Sequence, residues 1–347
     1  MSGIYITNVN KKRMVTMKNY AVIPLIIAFI MLTAPLAAFL SGNKTEGDEP
    51  SSEVFSRSAY APYARTDTQI AVFNPNDNTV EKMDMRDYCI GVVAAEMPAS
   101  YEIEALKAQA LVALTYAQYV KDNNKSENGD IAADSSVNQG FLSESEMKER
   151  WGDKYGEYHE KICEAVDAVL NYRIYYDSKP IDALYHAISP GRTEDAQNVW
   201  GKDIPYLKSA DSSWDKESPR YTSTTVFNSE QFKERCSSVE SVNLSGDEKT
   251  WVSDMKKTDA GTVESIKIGG VTLDGNRVRT VFALRSSAFD LSYDNGYFTF
   301  KSYGYGHGVG MSQYGANRMA SDGKKYSEII AHYYKGVSIV NVMKNSE

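Results

Sequence analysis

Residues 87–120, DYCIGVVAAEMPASYEIEALKAQALVALTYAQYV, constrain this chain more than any other stretch. They read as two helices joined by a Met-Pro break. The first is expected to start near Met85, with Asp84 as its N-cap, and to end near Glu96. Cys89, Val92, Val93 and Glu96 then fall at i, i+3, i+4 and i+7, on one helical face. Pro98 disfavours helical geometry at Met97 and stops the helix. A carboxylate is thereby placed on an apolar face at a helix C-terminus. Burial disfavours its anion, and so does the negative end of the helix dipole. A carboxyl group kept protonated near neutral pH can donate a proton. The plain alternative is a glutamate that reaches out of the last turn into water. The second helix is dense in small residues, Ala105, Ala108, Ala110, Ala113 and Ala117, which permits close packing of a neighbour.

A second constraint lies at the N-terminus. Residues 21–40 carry no charge and match the roughly 20 residues needed to cross a bilayer. Lys11, Lys12, Arg13 and Lys18 precede them; Glu46, Asp48 and Glu49 follow. The positive-inside rule makes residues 1–20 a cytoplasmic tail, residues 21–40 a single-pass transmembrane anchor in the cell membrane, and everything after it extracytoplasmic. A cleaved signal peptide is the competing interpretation, but the apolar run is long for one and Ala37-Ala38 is not followed by a clean cleavage site. Residues 41–66 are polar and read as a flexible linker.

The remaining chain has an α+β pattern: a helical, groove-forming core with hairpin and strand elements, and a smaller β-rich lobe. The core is expected over residues 67–208 and 290–347, and the β-containing domain over 209–289. Residues 68–73 and 79–83 pair as a hairpin around Asn74-Pro75-Asn76-Asp77-Asn78. Residues 143–151 and 155–170 read as helices, 173–176 and 183–186 as short strands. In the lobe, residues 222–227, 262–268 and 280–284 read as strands, with a short helix near 229–236. A net charge of −8 and a pI near 5.3 argue against nucleic acid as a partner. The three cysteines, Cys89, Cys163 and Cys236, are far apart and form no C-x-x-C, so neither a disulfide framework nor a thiolate metal site is expected.

Three stretches carry the chemistry. The first is Val93-Ala94-Ala95-Glu96-Met97-Pro98 followed by Glu104-Ala105-Leu106-Lys107-Ala108-Gln109-Ala110. The second is Tyr185-His186, Gly191-Arg192-Thr193-Glu194 and Val199-Trp200-Gly201. The third is Gly306-His307-Gly308-Val309-Gly310-Met311-Ser312-Gln313-Tyr314-Gly315-Ala316, closing with His332-Tyr333-Tyr334. In this order they resemble the stage II sporulation protein D family, the membrane-anchored lytic transglycosylases of spore-forming bacteria.

The resemblance implies cleavage of peptidoglycan glycan strands between N-acetylmuramic acid and N-acetylglucosamine, leaving 1,6-anhydro ends, during engulfment. It implies partnership with a cell-wall amidase and another membrane sporulation protein, and it makes Glu96 the catalytic acid. Such a reaction needs one carboxyl group, because no water is activated, whereas an ordinary glycosidase needs two. Glu102 and Glu104 read as first-turn helix charges. The alternative is a non-catalytic peptidoglycan-binding activator of an amidase.

Tyr185, His186, Arg192, His307, Ser312, Gln313 and Tyr314 are the expected substrate-binding residues, with Trp200 a further sugar-stacking candidate. Each has a structural alternative: a packed histidine in a glycine turn, Arg192 paired with Glu194 or Asp195, Ser312 capping the next helix. Some members of the family bind zinc through Cys and His in the second stretch. Here that stretch holds no cysteine, and one histidine cannot build a tetrahedral site, so no metal and no other cofactor is expected.

Overall fold

The Met-Pro break separates two helices, the first with the expected bounds. The structure is a computed structural model that describes residues 69–75, 77–123 and 129–345, within one unit spanning residues 65–347. The expected tail and anchor, and the linker over 41–66, lie outside the described residues. Among the described residues no helix is long and apolar enough to cross a membrane.

Helix α1 (Met85–Glu96) follows Asp84, whose side chain makes no capping bond, and ends where Met97 turns extended. It is buried on every side from Tyr88 to Ala94, more than a single apolar stripe requires. Helix α2 (Ile103–Asn123) is the axis of the core. Its alanines at 105, 108, 110, 113 and 117 are all fully buried, because small side chains let neighbours approach from several directions. Helix α3 (Glu144–Trp151) starts with a capping box between Ser143 and Glu146. Helix α4 (Tyr155–Val169) packs on both α1 and α2. Arg86 of α1 grips Asp167 of α4 through two bonds of 2.5 and 2.9 Å.

Small sheets close this helical core. Strand β1 (Gln69–Asn74) pairs antiparallel with β2 (Thr79–Asp84) as the expected hairpin, and parallel with β3 (Ile131–Ala132). Strand β4 (Tyr172–Tyr176) takes β5 (Lys179–Pro180) on one edge. Strand β6 (Tyr185–His186) is followed by a short helix, α5 (Ala196–Trp200).

The second lobe comprises β7 (Thr222–Asn228), helix α6 (Ser229–Cys236), β8 (Val252–Lys257), β9 (Val263–Ile268), β10 (Val271–Leu273), helix α7 (Gly275–Phe282), β11 (Phe289–Asp294) and β12 (Tyr297–Tyr303). Its sheets run β10-β9-β8 and β11-β12-β7. They enclose their own apolar cluster, in which Phe232 stacks on Phe298 at 4.0 Å. Two expectations need correction. Residues 280–284 are not a strand: Asp274 caps a helix by accepting from the Arg277 N–H at 2.8 Å, and the Val-Arg-Thr-Val run continues it. The lobe also does not stop at 289, because Phe289, Phe298 and Phe300 are buried in its cluster.

The chain then returns to the core. Strand β13 (Met311–Ser312) lies parallel to β6, pairing Tyr185 with Met311 and His186 with Ser312. Helices α8 (Gln313–Ser321) and α9 (Tyr326–Tyr333) pack on α2, and β14 (Ser338–Asn341) completes the β4 sheet.

Candidate active site

Glu96 is the last residue of α1 and only partly exposed. Burial raises its carboxyl above the usual range; the Gly140 N–H, which donates to it, and the nearby Tyr185 hydroxyl pull the other way. The Gly140 bond is 2.5 Å long. No second carboxylate is among the groups that act on it. The expected rise is therefore present, opposed by a backbone donor that helix-end reasoning did not foresee.

That donor depends on residues 138–142 crossing α1. The Leu142 N–H donates to the Gly91 carbonyl at 3.1 Å. A side chain at Gly91 would drive into the Phe141 ring and the Leu142 carbonyl, so only glycine permits the crossing. Gln139, fully buried, bridges two tyrosines. The Tyr88 hydroxyl donates to its Oε1 at 3.0 Å, and its Nε2 donates to the Tyr185 hydroxyl at 3.2 Å. Tyr88, Gly91, Gln139 and Gly140 were all missed as site residues. No local pattern marks them, because Gly140 meets Glu96 across 44 positions of chain.

On the other side of β6 lies a second cluster. The His186 ring sits 5.7 Å from that of His307, and the Trp200 ring 5.4 Å from His307. Trp200 is half exposed. His186 donates from Nδ1 to the Val309 carbonyl at 3.0 Å, which leaves its buried Nε2 a lone pair with no partner. His307 accepts at Nδ1 from the Val309 N–H at 3.2 Å. Burial lowers His186 to about 4 and His307 to about 3, with the nearby Arg279 adding to both effects. The glycine before His307 has φ +117°, and a Cβ there would meet His186 Cβ at 2.7 Å, so the glycine-rich turn is what brings the two rings together.

The other expected residues divide. Ser312 is fully buried; its hydroxyl donates to Asp215 at 2.8 Å and accepts from the Gly315 N–H as a helix cap. The structural alternative describes it, and it does not line a cleft. Asp215 in turn accepts from the Ser189 N–H at 2.7 Å, tying residues 189–191 to α8. Gln313 is buried and donates to Gln109 at 3.3 Å, so it too faces inward. Tyr314 stays partly exposed. Arg192 pairs with neither Glu194 nor Asp195; its Nε donates to Ser209 at 2.8 Å. It lines a separate depression of about 370 Å³ with Glu194, Asp195, Asn198, Lys257 and Glu264, which neither Glu96 nor Tyr185 borders. Glu194 accepts from the Asp195 N–H, Asn198 and Thr258, and so joins α5 to the second lobe. Asp182 was not foreseen: burial lifts it to about 6, with Lys202 opposing.

The zinc set of some family members does not fit these residues. His186 offers one free nitrogen, but His307 Nδ1 already accepts from the Val309 N–H. Among the described residues no three His, Cys, Asp or Glu side chains gather as a ligand set.

The fold and the site define a class: an α+β protein with a helical core, a β-rich second lobe and one protected carboxyl group between a helix end and a short strand. The chain belongs to the stage II sporulation protein D family. Residues 74–176 match the SpoIID family, described as stage II sporulation protein. Stage II sporulation protein D of Bacillus amyloliquefaciens is 38% identical over 273 residues, covering 78% of each chain. That of Bacillus subtilis (strain 168) is 34% identical over 334 residues, covering 93% of this chain and 96% of the relative. The amidase enhancer of Bacillus subtilis (strain 168) is 27% identical over 306 residues, 72% of this chain and 40% of that protein.

Proposed function

We propose that this protein is a lytic transglycosylase of peptidoglycan with Glu96 as its single acid and base. The supporting observation is the state of Glu96: a carboxyl raised by burial, held by the Gly140 N–H, with no second carboxylate acting on it. The glycosidic bond between muramic acid C1 and the next sugar's O4 breaks as Glu96 protonates O4. The muramic acid 6-hydroxyl closes on C1, and its proton returns to the Glu96 carboxylate. No water is consumed, which is why one carboxyl suffices. Trp200 and Tyr314, both accessible, are the aromatic faces offered to the sugar. We place the activity outside the cell membrane, tethered by residues 21–40, in engulfment during sporulation, with a cell-wall amidase and a further membrane protein as partners.

The test is digestion of peptide-free glycan by the full chain in detergent, read by mass spectrometry. Anhydro-ended products are expected. Reducing ends would instead indicate a two-carboxylate hydrolase. Binding without cleavage would favour the second function, a wall-binding amidase activator, for which the specific observation is the likeness to an amidase enhancer.

A further inference from the structure

The second lobe leaves one strand edge open. In its sheet β11-β12-β7, strand β7 (Thr222–Asn228) has a strand neighbour on one side only. The Gly304 N–H donates to the Tyr221 carbonyl, and the Ser229 N–H to the Gly296 carbonyl, one residue beyond each end of the β7–β12 register. Antiparallel residues alternate between bonded and non-bonded pairs. The odd-numbered residues of β7 therefore bond to β12, and the even-numbered ones direct N–H and C=O outward. At both ends of that outward row the N–H is taken. Arg220 N–H donates to Ser218 Oγ at 3.2 Å, and Asn228 N–H donates to Gln231 Oε1 at 3.0 Å within a capping box. Between them stand Thr222, Thr224 and Val226, whose outward groups have no partner among the described residues.

An unpaired edge recruits other strands, and proteins blunt it with charge, brevity, bulges or proline. Strand β2 carries Glu81, Lys82 and Asp84, and β11 carries Asp290 and Asp294. Strand β8 carries Lys256 and Lys257 and breaks register. The other sheet edges among the described residues are four residues long or shorter. Strand β7 has none of these devices: its seven residues are uncharged, free of proline and regular in register. Val226 is 50% exposed on its outer face.

The open row is also symmetric. We propose that β7 is a docking edge for a second copy of this chain, paired antiparallel about a two-fold axis at Thr224. Thr224 then faces Thr224 of the second copy, and Thr222 faces Val226 in both directions, each pair exchanging two backbone bonds. Every open group is used, and the capped N–H groups of Arg220 and Asn228 are left alone. Even residues face even residues, so the exposed face continues as exposed and the face carrying Phe227 continues as the inner one. Charge favours this contact. Two chains of net charge −8 repel on average, but β7 adds nothing to that repulsion. The one charge on β12 is Lys301, opposite Thr224. The two copies of Lys301 stand three strand spacings apart, roughly 14 Å, beyond the Debye length of about 8 Å. An edge about 24 Å long is too short to bury the roughly 1,200 Å² of a stable complex. The pair is therefore transient in dilute solution and favoured where copies are concentrated on a surface.

The test uses the full chain in detergent with single added cysteines and a short bifunctional thiol reagent. Wild type sets the background from Cys89, Cys163 and Cys236. Facing residues of a bonded pair lie about 5.5 Å apart at Cα, so Thr224→Cys is expected to yield linked dimers. Val226→Cys alone is not, since its two copies stand roughly 14 Å apart along the strands, but a mixture with Thr222→Cys is. Thr224→Lys, which sets two ammonium groups on the axis from an exposed position, is expected to weaken self-association at least tenfold in sedimentation equilibrium. Hydrogen-exchange protection of the Thr222, Thr224 and Val226 amides should rise with protein concentration. Linking no stronger in Thr224→Cys than in Val226→Cys overturns the proposal. So does strong amide protection that is independent of concentration, which would mean that another part of the same chain covers the edge.

Discussion

Tyr185 and His186 are neighbours on one short strand, yet they serve two clusters that burial treats in opposite ways. On the Tyr185 side burial raises a carboxyl; on the His186 side it lowers two imidazoles to about 4 and about 3. The ionised form is penalised in both clusters, but the consequences differ. A neutral acid has a proton to give. A neutral imidazole whose Nδ1 already accepts from a backbone N–H has that lone pair spent, and His307 is in that state. The first cluster is equipped for proton transfer and the second for holding a turn in shape beneath Trp200.

The sharpest way to break this contrast is Glu96→Gln. Cleavage of peptide-free glycan is expected to fall by about 10²–10⁴-fold, the usual worth of a general acid, with strand binding retained in a sedimentation assay. The same variant should melt higher than wild type at alkaline pH. The raised carboxyl favours folding only while protonated, and that contribution is lost as pH rises through its folded value. Full activity in this variant removes Glu96 from the chemistry.

The histidine side is tested by acid stability. His186 titrates at about 4 when folded against 6.5 when exposed. Its contribution is complete above pH 6.5 and is lost as pH falls toward 4, on the order of 3 kcal/mol. Denaturant melts of His186→Gln should show a flatter acid limb, while cleavage near neutral pH changes far less than for Glu96→Gln. A pH-independent loss of cleavage in His186→Gln as large as that of Glu96→Gln would erase the distinction between the clusters.

Trp200→Ala should weaken glycan binding by roughly fivefold, the scale of one aromatic contact, with little change in melting temperature because the ring is half exposed. The smallest effect is expected from chelation. Since no three His, Cys, Asp or Glu side chains gather as a ligand set among the described residues, treatment with EDTA should leave the cleavage rate unchanged; a loss restored by zinc would mean that the turn rearranges around a metal.

Much of the fold was legible where local chemistry is self-sufficient. The end of α1 follows from Pro98, and its start falls at Met85 as expected although Asp84 makes no capping bond; the helix read over residues 143–151 is also present. The segment at residues 280–284 was misread because Val and Thr favour strands, whereas the Asp274 cap and the packing of Val278, Val281 and Phe282 decide for a helix. Ser312 and Gln313 looked functional from their motif, but only the folded chain shows which way a side chain in such a turn points.

From its residues alone the chain determines a helix that ends in a carboxyl, a break that fixes that end, and a glycine turn carrying a histidine. These depend on neighbours within one or two turns, so sequence suffices. That Gly140 closes over the carboxyl, and that His186 gives its Nδ1 proton to the Val309 carbonyl, is decided only by tertiary structure. Hydrogen-bond partners are set by where distant segments cross, and here the glycine at position 91 provides the crossing point.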